Sequence, residues 1–205
     1  MPEAASVEPM REAFYGWYVV ACAFLIAVWG WGLGCYGPAI YLVVLRDIHG
    51  WLASTISSAM SAYYLVGAGM IALIGRVVRR FGPMPTILTG VVAMATSLMA
   101  LTLMAEPWQL YLTFLLVAVG WATMSSAMVN IRLAPWFERK RGLAVSLAMK
   151  GASRVGGVIA PGVLALVHVA GFQRGLAAAT LTMLAMLVPL AATVARRRPR
   201  VAAAE

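Results

Sequence analysis

Long apolar runs separated by short polar breaks divide this chain into six stretches, at about 16–45, 52–74, 84–105, 109–133, 142–170 and 176–195. Each has the length, about 20 residues or more, that an α-helix needs to cross a ~30 Å hydrocarbon core. The pattern predicts an all-α polytopic membrane protein with six transmembrane helices. A short segment at 1–15 precedes them and a basic tail at 196–205 follows. The breaks are brief: R-D-I-H-G, G-R-V-V-R-R-F-G-P, E-P-W, A-P-W-F leading into a basic linker at 138–141, and G-F-Q-R-G. The first run is Gly-rich in its middle, W-G-W-G-L-G-C-Y-G-P, where Gly30, Gly32, Gly34 and Gly37 permit close helix approach and Pro38 predicts a kink. The second run opens on small and hydroxyl residues, S-T-I-S-S-A-M-S-A, suited to tight packing or a wet wall.

Composition agrees with this reading. Of 205 residues, 62% are hydrophobic and only 11% charged, with a mean hydropathy of +0.86; a soluble domain carries about 25% charged residues. The net charge of +9 is gathered in short clusters between apolar runs, which argues for membrane orientation and against nucleic acid. Arg11, Arg76, Arg79, Arg80, Arg132, Arg139, Lys140, Arg141, Arg196, Arg197, Arg198 and Arg200 fall on one face, against Arg46 and Arg174 on the other. The positive-inside rule then puts both termini in the cytoplasm, with the plasma membrane as the expected location. Trp17, Trp51, Trp108 and Trp136 fall near run ends, as an interfacial belt requires. The N-terminus, M-P-E-A-A-S-V-E-P-M-R-E, lacks the positive start of a signal peptide, so the first run is expected to be a retained span. Cys22 and Cys35 lie about 20 Å apart along one helix, beyond disulfide reach, and read as packing residues. No metal-ligand spacing occurs, and no cofactor is expected.

Two charges break the apolar pattern. Lys150 and Arg154 sit inside the fifth run, at i and i+4 on one helix face. Counted from Gly142, they lie about 12 Å and about 18 Å in, so Arg154 is near the midplane of a ~30 Å core. Intramembrane charges are costly and mark function by default. No Asp or Glu lies inside any of the six runs. The pair therefore points to a small organic anion, with Arg154 as a bidentate anchor and Lys150 beside it. Two other readings stand beside it: pairing with a carboxylate outside these runs, and snorkelling to the cytoplasmic surface. Tyr36, Tyr63 and Tyr64 are candidate wall residues, or ordinary packing. Asn130, Arg132, His49 and His168 read as interfacial anchors, with a proton relay as the alternative for the histidines. Phe24–Trp31 reads F-L-I-A-V-W-G-W and residues 114–121 read F-L-L-V-A-V-G-W, in runs that cross in opposite directions. This is a weak sign of the three-plus-three inverted repeat of transporter halves.

These residues also carry a family resemblance. The opening Y-G-W-Y-V-V-A-C-A-F-L, the turn G-R-V-V-R-R-F-G-P and the stretch W-F-E-R-K-R-G-L-A-V-S-L-A-M-K-G-A together resemble the N-terminal half of a major facilitator superfamily transporter. The likeness is greatest to the monocarboxylate-transporter and oxalate–formate-exchanger type, and it covers nearly the whole chain. It implies secondary transport of a mono- or dicarboxylate by alternating access, with no enzyme activity. It also implies that Gly75, Arg76, Arg79, Arg80 and Gly82 form the cytoplasmic gating turn. The family usually has an acidic residue where Arg79 stands, which puts that gate in question. The family has twelve spans and its cavity lies between two halves, so the resemblance implies a second six-span half, in another chain or a missing C-terminal half. The remaining alternative is a truncated or accessory membrane subunit with no transport of its own. G-V-I-A-P-G at 157–162 resembles part of an antiporter motif but is incomplete.

An enzyme reading fails on geometry. G-A-S at 151–153 is similar to the nucleophile motif of rhomboid proteases, but the next residue is Arg154, not Gly. His168 lies about 22 Å from Ser153 along the same helix, far outside the hydrogen-bond reach a serine nucleophile needs.

Overall fold

The computed structural model describes residues 7–133, 141–150 and 156–195. All its regular elements are helical: α1 (Val7–Trp29), a π-helical segment (Gly30–Tyr36), α2 (Gly37–His49), α3 (Ala53–Phe81), α4 (Pro83–Leu103), α5 (Pro107–Thr123), α6 (Ser126–Leu133), α7 (Arg141–Lys150), α8 (Gly156–Ala170) and α9 (Phe172–Ala195). Five stretches among the described residues are long and apolar enough to cross a membrane: Trp17–His49, Ala53–Phe81, Pro83–Leu103, Pro107–Ile131 and Phe172–Leu190. The fifth apolar run is represented by α7 and α8 at its two ends, with a shorter apolar helix at Pro161–Ala170.

The helix ends follow local chemistry. Gly50, Gly82 and Gly171 take positive φ (67°, 86° and 84°) immediately after α2, α3 and α8, a conformation that costs a side chain-bearing residue energy. α4 and α5 open with Pro83 and Pro107, whose missing N–H falls where a helix has no partner for it. Gln109 Oε1 accepts from the backbone N–H of Ala105 (2.8 Å) and Glu106 (3.2 Å), closing a capping box at the start of α5.

Two expected turns are shorter than their polarity suggested. Arg46–His49 belongs to α2, and the connection contracts to Gly50, Trp51 and Leu52. The basic stretch from Gly75 is likewise helical through Phe81, and the turn contracts to Gly82. Arg79 and Arg80 favour the last turn of a helix because cations offset its negative end, while Val77, Val78 and Phe81 continue the apolar run. Span four, expected as one helix to Leu133, breaks at Met124–Ser125. Pro38 ends no helix: α2 continues from the π-helical segment, with Pro38 in its first turn.

The bundle is centred on α5, which packs between α3 and α4; α4 and α8 both pack on α9, and α1 packs on α7. Tyr41, Tyr63, Phe114, Met94 and Leu98 are fully buried in the main cluster. A second cluster joins Val19, Val20, Ala23 and Ala27 of α1 to Ala144 and Ala148 of α7 and Val129 and Leu133 of α6. The α4–α5 crossing depends on small residues, since a Cβ on Gly120 would stand 2.9 Å from Met94 Cβ. Close backbone approach of this kind is how helices associate where lipid offers no hydrophobic drive. Trp17 and Trp108 are exposed near span ends; Trp136 lies outside the described residues.

Candidate functional site

The first span changes geometry at Gly30–Tyr36, where seven residues wind as a π-helix. A π segment leaves the ordinary i→i−4 ladder and marks function often enough to deserve a physical account. Pro38 supplies part of one, because it has no N–H to offer the preceding turn. The carbonyls loosened there are met by three tyrosines. Tyr41 Oη donates to Leu33 O at 3.2 Å, Tyr63 Oη to Gly34 O at 2.6 Å, and Tyr64 Oη to Cys35 O at 3.1 Å. Two of the three donors come from α3, so the π segment is held from outside its own helix.

Trp121 of α5 fixes the spacing between these elements. A Cβ on Gly34 would lie 2.8 Å from its Cδ1, and a Cβ on Gly67 of α3 would lie 2.8 Å from its Cε3 and Cζ3. The indole is thus clasped between two glycines on different helices. Tyr63 and Tyr64 flank it, with ring centroids at 5.6 Å and 5.9 Å, the second edge-on at 88°. Such offset and edge contacts suit the ring quadrupoles. Gly30, at the start of the π segment, abuts the Met124 break in the fourth span: a Cβ there would be 2.5 Å from Met124 Cβ. Gly32 faces Ile159 of α8 in the same way, at 2.8 Å from Cγ2. Irregular backbone in the first and fourth spans therefore meets at one place, covered by α3 and α8.

The internal repeat extends into this geometry. Phe24 matches Phe114, and Trp31 matches Trp121. Carried three and four residues further, the same register sets Gly34 and Cys35 against Met124 and Ser125, so the break in the second copy falls within the stretch equivalent to the π segment of the first. Nε1 of Trp31, Nε1 of Trp121 and Oγ of Ser125 are buried without a hydrogen-bond partner among the described residues. An unpaired buried donor costs about 1–3 kcal/mol. The position of Trp121 is a feature that residue-by-residue reading of the sequence passes over. The signal was present in the repeat, whose last residue is tryptophan in both copies.

The sequence-predicted residues distribute unevenly around this centre. Tyr63 is buried and donates its hydroxyl to Gly34 O, which braces the π segment from inside the bundle. Tyr64 is its exposed neighbour, and Tyr36 is half-buried at the end of the π segment. Lys150 is exposed at the last residue of α7. Arg154 lies outside the described residues. Of the turn residues, Gly75, Arg76, Arg79 and Arg80 are all on α3 and only Gly82 is in the turn itself. Arg79 lies back along the helix, its Nη1 3.7 Å from the point a Gly75 Cβ would occupy. At the opposite end, His49 Nε2 donates to Met104 O at 3.2 Å and its ring stacks on Trp51 with centroids 4.4 Å apart. Asn130 Nδ2 is spent on Ser126 O at 2.9 Å.

Comparison with known proteins adds a second line. The sequence pattern of the family described as Major Facilitator Superfamily matches residues 20–205. "MFS-type transporter 1" of Ophiocordyceps sp. (strain BCC 1869) is 31% identical over 192 residues, 91% of this chain and 42% of that protein. "Monocarboxylate transporter 2" of Homo sapiens is 27% identical over 158 residues, 74% of this chain and 31% of that protein. "Fujikurins efflux protein" of Gibberella fujikuroi is 29% identical over 194 residues, 90% of this chain and 39% of that protein. The chain spans less than half the length of each of these relatives.

Proposed function

The chain belongs to the Major Facilitator Superfamily, and from that premise we propose that it forms one six-helix half of a secondary transporter for a small organic anion. Transport proceeds by alternating access against a second six-helix half, with both termini cytoplasmic. Arg154 anchors a mono- or dicarboxylate and Lys150 adds a second positive charge. Tyr36 and Tyr64 border the path, and Tyr63 acts behind them by holding the π segment. Gly75, Arg76, Arg79, Arg80 and Gly82 belong to the cytoplasmic gate.

The observation that carries this reading is the i, i+4 pair of cations in an apolar run whose neighbours hold no carboxylate. An anion relieves their repulsion and supplies bidentate acceptors to the guanidinium. The name of the human relative, a monocarboxylate transporter, supports the substrate class. The indole donors of Trp31 and Trp121, which have no partner among the described residues, support a centre with hydrogen bonds left to give.

The test is uptake of a labelled small monocarboxylate into proteoliposomes. Two preparations are compared: the chain alone, and the chain with a separately expressed C-terminal half of a related transporter. Uptake is expected only in the second. A hydrogen bond to a charged group contributes about 1.5–3 kcal/mol, so Arg154→Ala should lower uptake roughly ten- to hundredfold. Uptake unchanged by that substitution removes the anion site. Uptake by neither preparation favours an accessory role.

A further inference from the structure

A cavity of about 400 Å³ lies between α3, α4 and α5 beside the Gly82 turn. Leu73, Val77 and Phe81 of α3 form one wall, and Thr86 and Thr89 of α4 and Thr123 of α5 face them. The threonines do not make it polar. Thr86 Oγ1 donates to Gly82 O (2.7 Å), Thr89 Oγ1 to Pro85 O (2.8 Å) and Thr123 Oγ1 to Gly120 O (2.9 Å). Their hydroxyls are spent on carbonyls three or four residues back along the chain, which leaves methyl groups for the wall. Phe81 and Leu73 remain 61% and 48% exposed, so the cavity is an open groove on the outside of the bundle.

Its length limits what fits. The groove extends along α3 from Phe81 to Met70, about 16 Å. That is about half of a ~30 Å hydrocarbon core: the depth of one leaflet, and too short for a helix that spans both. Its charge limits the occupant further. Arg76 and Arg80 stand three residues beyond Leu73 and Val77, on the same face of α3, and both are exposed. The Arg80 guanidinium lies 5.4 Å from the ring centroid of Phe81, the residue at the groove's end. No Asp or Glu occurs in α3, α4 or α5, so those helices hold no counter-charge. A basic site between helices at a membrane surface attracts anionic headgroups.

We propose that this groove holds one anionic phospholipid from the leaflet at the Gly82 turn, its phosphate at the Phe81 end within reach of Arg80 and Arg76 and its acyl chain running inward past Val77 and Leu73 to Met70. The proposal is independent of any transport activity. The test takes the full 205-residue chain in bilayer discs of equal phosphatidylglycerol and phosphatidylcholine, then reads the lipid retained after extraction by native mass spectrometry. Phosphatidylglycerol should be retained about fivefold or more over phosphatidylcholine, since one cation near the surface contributes about that factor. Arg76→Gln with Arg80→Gln should return the ratio to that of the bilayer, and Arg76→Lys with Arg80→Lys should keep it. Leu73→Trp fills the groove and should remove retained lipid of both kinds. An unchanged ratio in the glutamine pair, or an unchanged lipid count in Leu73→Trp, overturns the proposal. A lipid-free dimer does so too, because a second copy then occupies the groove. Should the glutamine pair lose its helical circular dichroism, salt decides: a preference of the native chain that fades at 1 M supports the headgroup contact, and one that persists refutes it.

Discussion

Removing the hydroxyl of Tyr63 tests the account of the π segment directly. Tyr63→Phe keeps the ring, its contacts with Trp121 and Phe114 (5.6 Å and 6.0 Å between centroids), and the volume of a fully buried site. It removes only the 2.6 Å bond to Gly34 O. Side-chain hydrogen bonds between membrane helices average about 0.6 kcal/mol, with a maximum near 1.7. Tyr63 should fall at the upper end, because the carbonyl it leaves is enclosed and Pro38 offers no N–H in compensation. We expect a loss of about 1.5 kcal/mol. At about 3 °C per kcal/mol for a chain of this size, that is a fall of roughly 4–5 °C in Tm. Tyr64→Phe is the internal control. Its bond to Cys35 O is 3.1 Å and its side chain is 38% exposed, so the longer bond is less enclosed and the expected loss is about 0.5 kcal/mol. Thermal unfolding in detergent measures both, and hydrogen exchange at 35–40 reports whether the π segment loosens. Equal shifts for the two variants, or unchanged exchange at 35–40 in Tyr63→Phe, would refute the claim that an α3 hydroxyl holds the π winding.

Three further outcomes follow from the packing. Gly67→Ala should cost about 1–3 kcal/mol by overpacking against Trp121. Gly69→Ala, which meets nothing within 4 Å, should be neutral or stabilising by up to about 1 kcal/mol through helix propensity; equal effects in thermal unfolding would contradict the clasped indole. Combining Gly67→Ala with Trp121→Leu should cost less than the sum of the single changes, a coupling that a double-mutant cycle reads. His49→Ala should lose about 1 kcal/mol by freeing Met104 O and unstacking Trp51, with faster exchange at the ends of α2 and α4 and none at the Gly82 turn.

The membrane class, the all-α architecture and the family were legible from the chain alone, because each depends on properties that sum along a sequence. A run of about 20 apolar residues is long enough to span whatever its neighbours do. Helix length at the polar ends was less legible. Arg79 and Arg80 look like a turn by polarity, yet arginine has good helix propensity and favours a helix C-terminus. α3 stops at Gly82, which takes positive φ directly ahead of Pro83, and polarity alone does not place that stop. The break at Met124–Ser125 was less legible still. No Gly or Pro stands there, and the deviation coincides with the close approach of Gly30.

Tyr63 marks the boundary between the two kinds of knowledge. The sequence determined that an aromatic with a hydroxyl would sit mid-span, where its polar end must find a partner. Tertiary structure decided that the partner is Gly34 O, on another helix. Likewise the spacing of Lys150 and Arg154 is a property of the chain, whereas the clasp of Gly34 and Gly67 around Trp121 exists only once α3 and α5 are packed. Periodicity reports which face of a helix is apolar; it carries no distance between faces, and the π segment is held by contacts set by that distance.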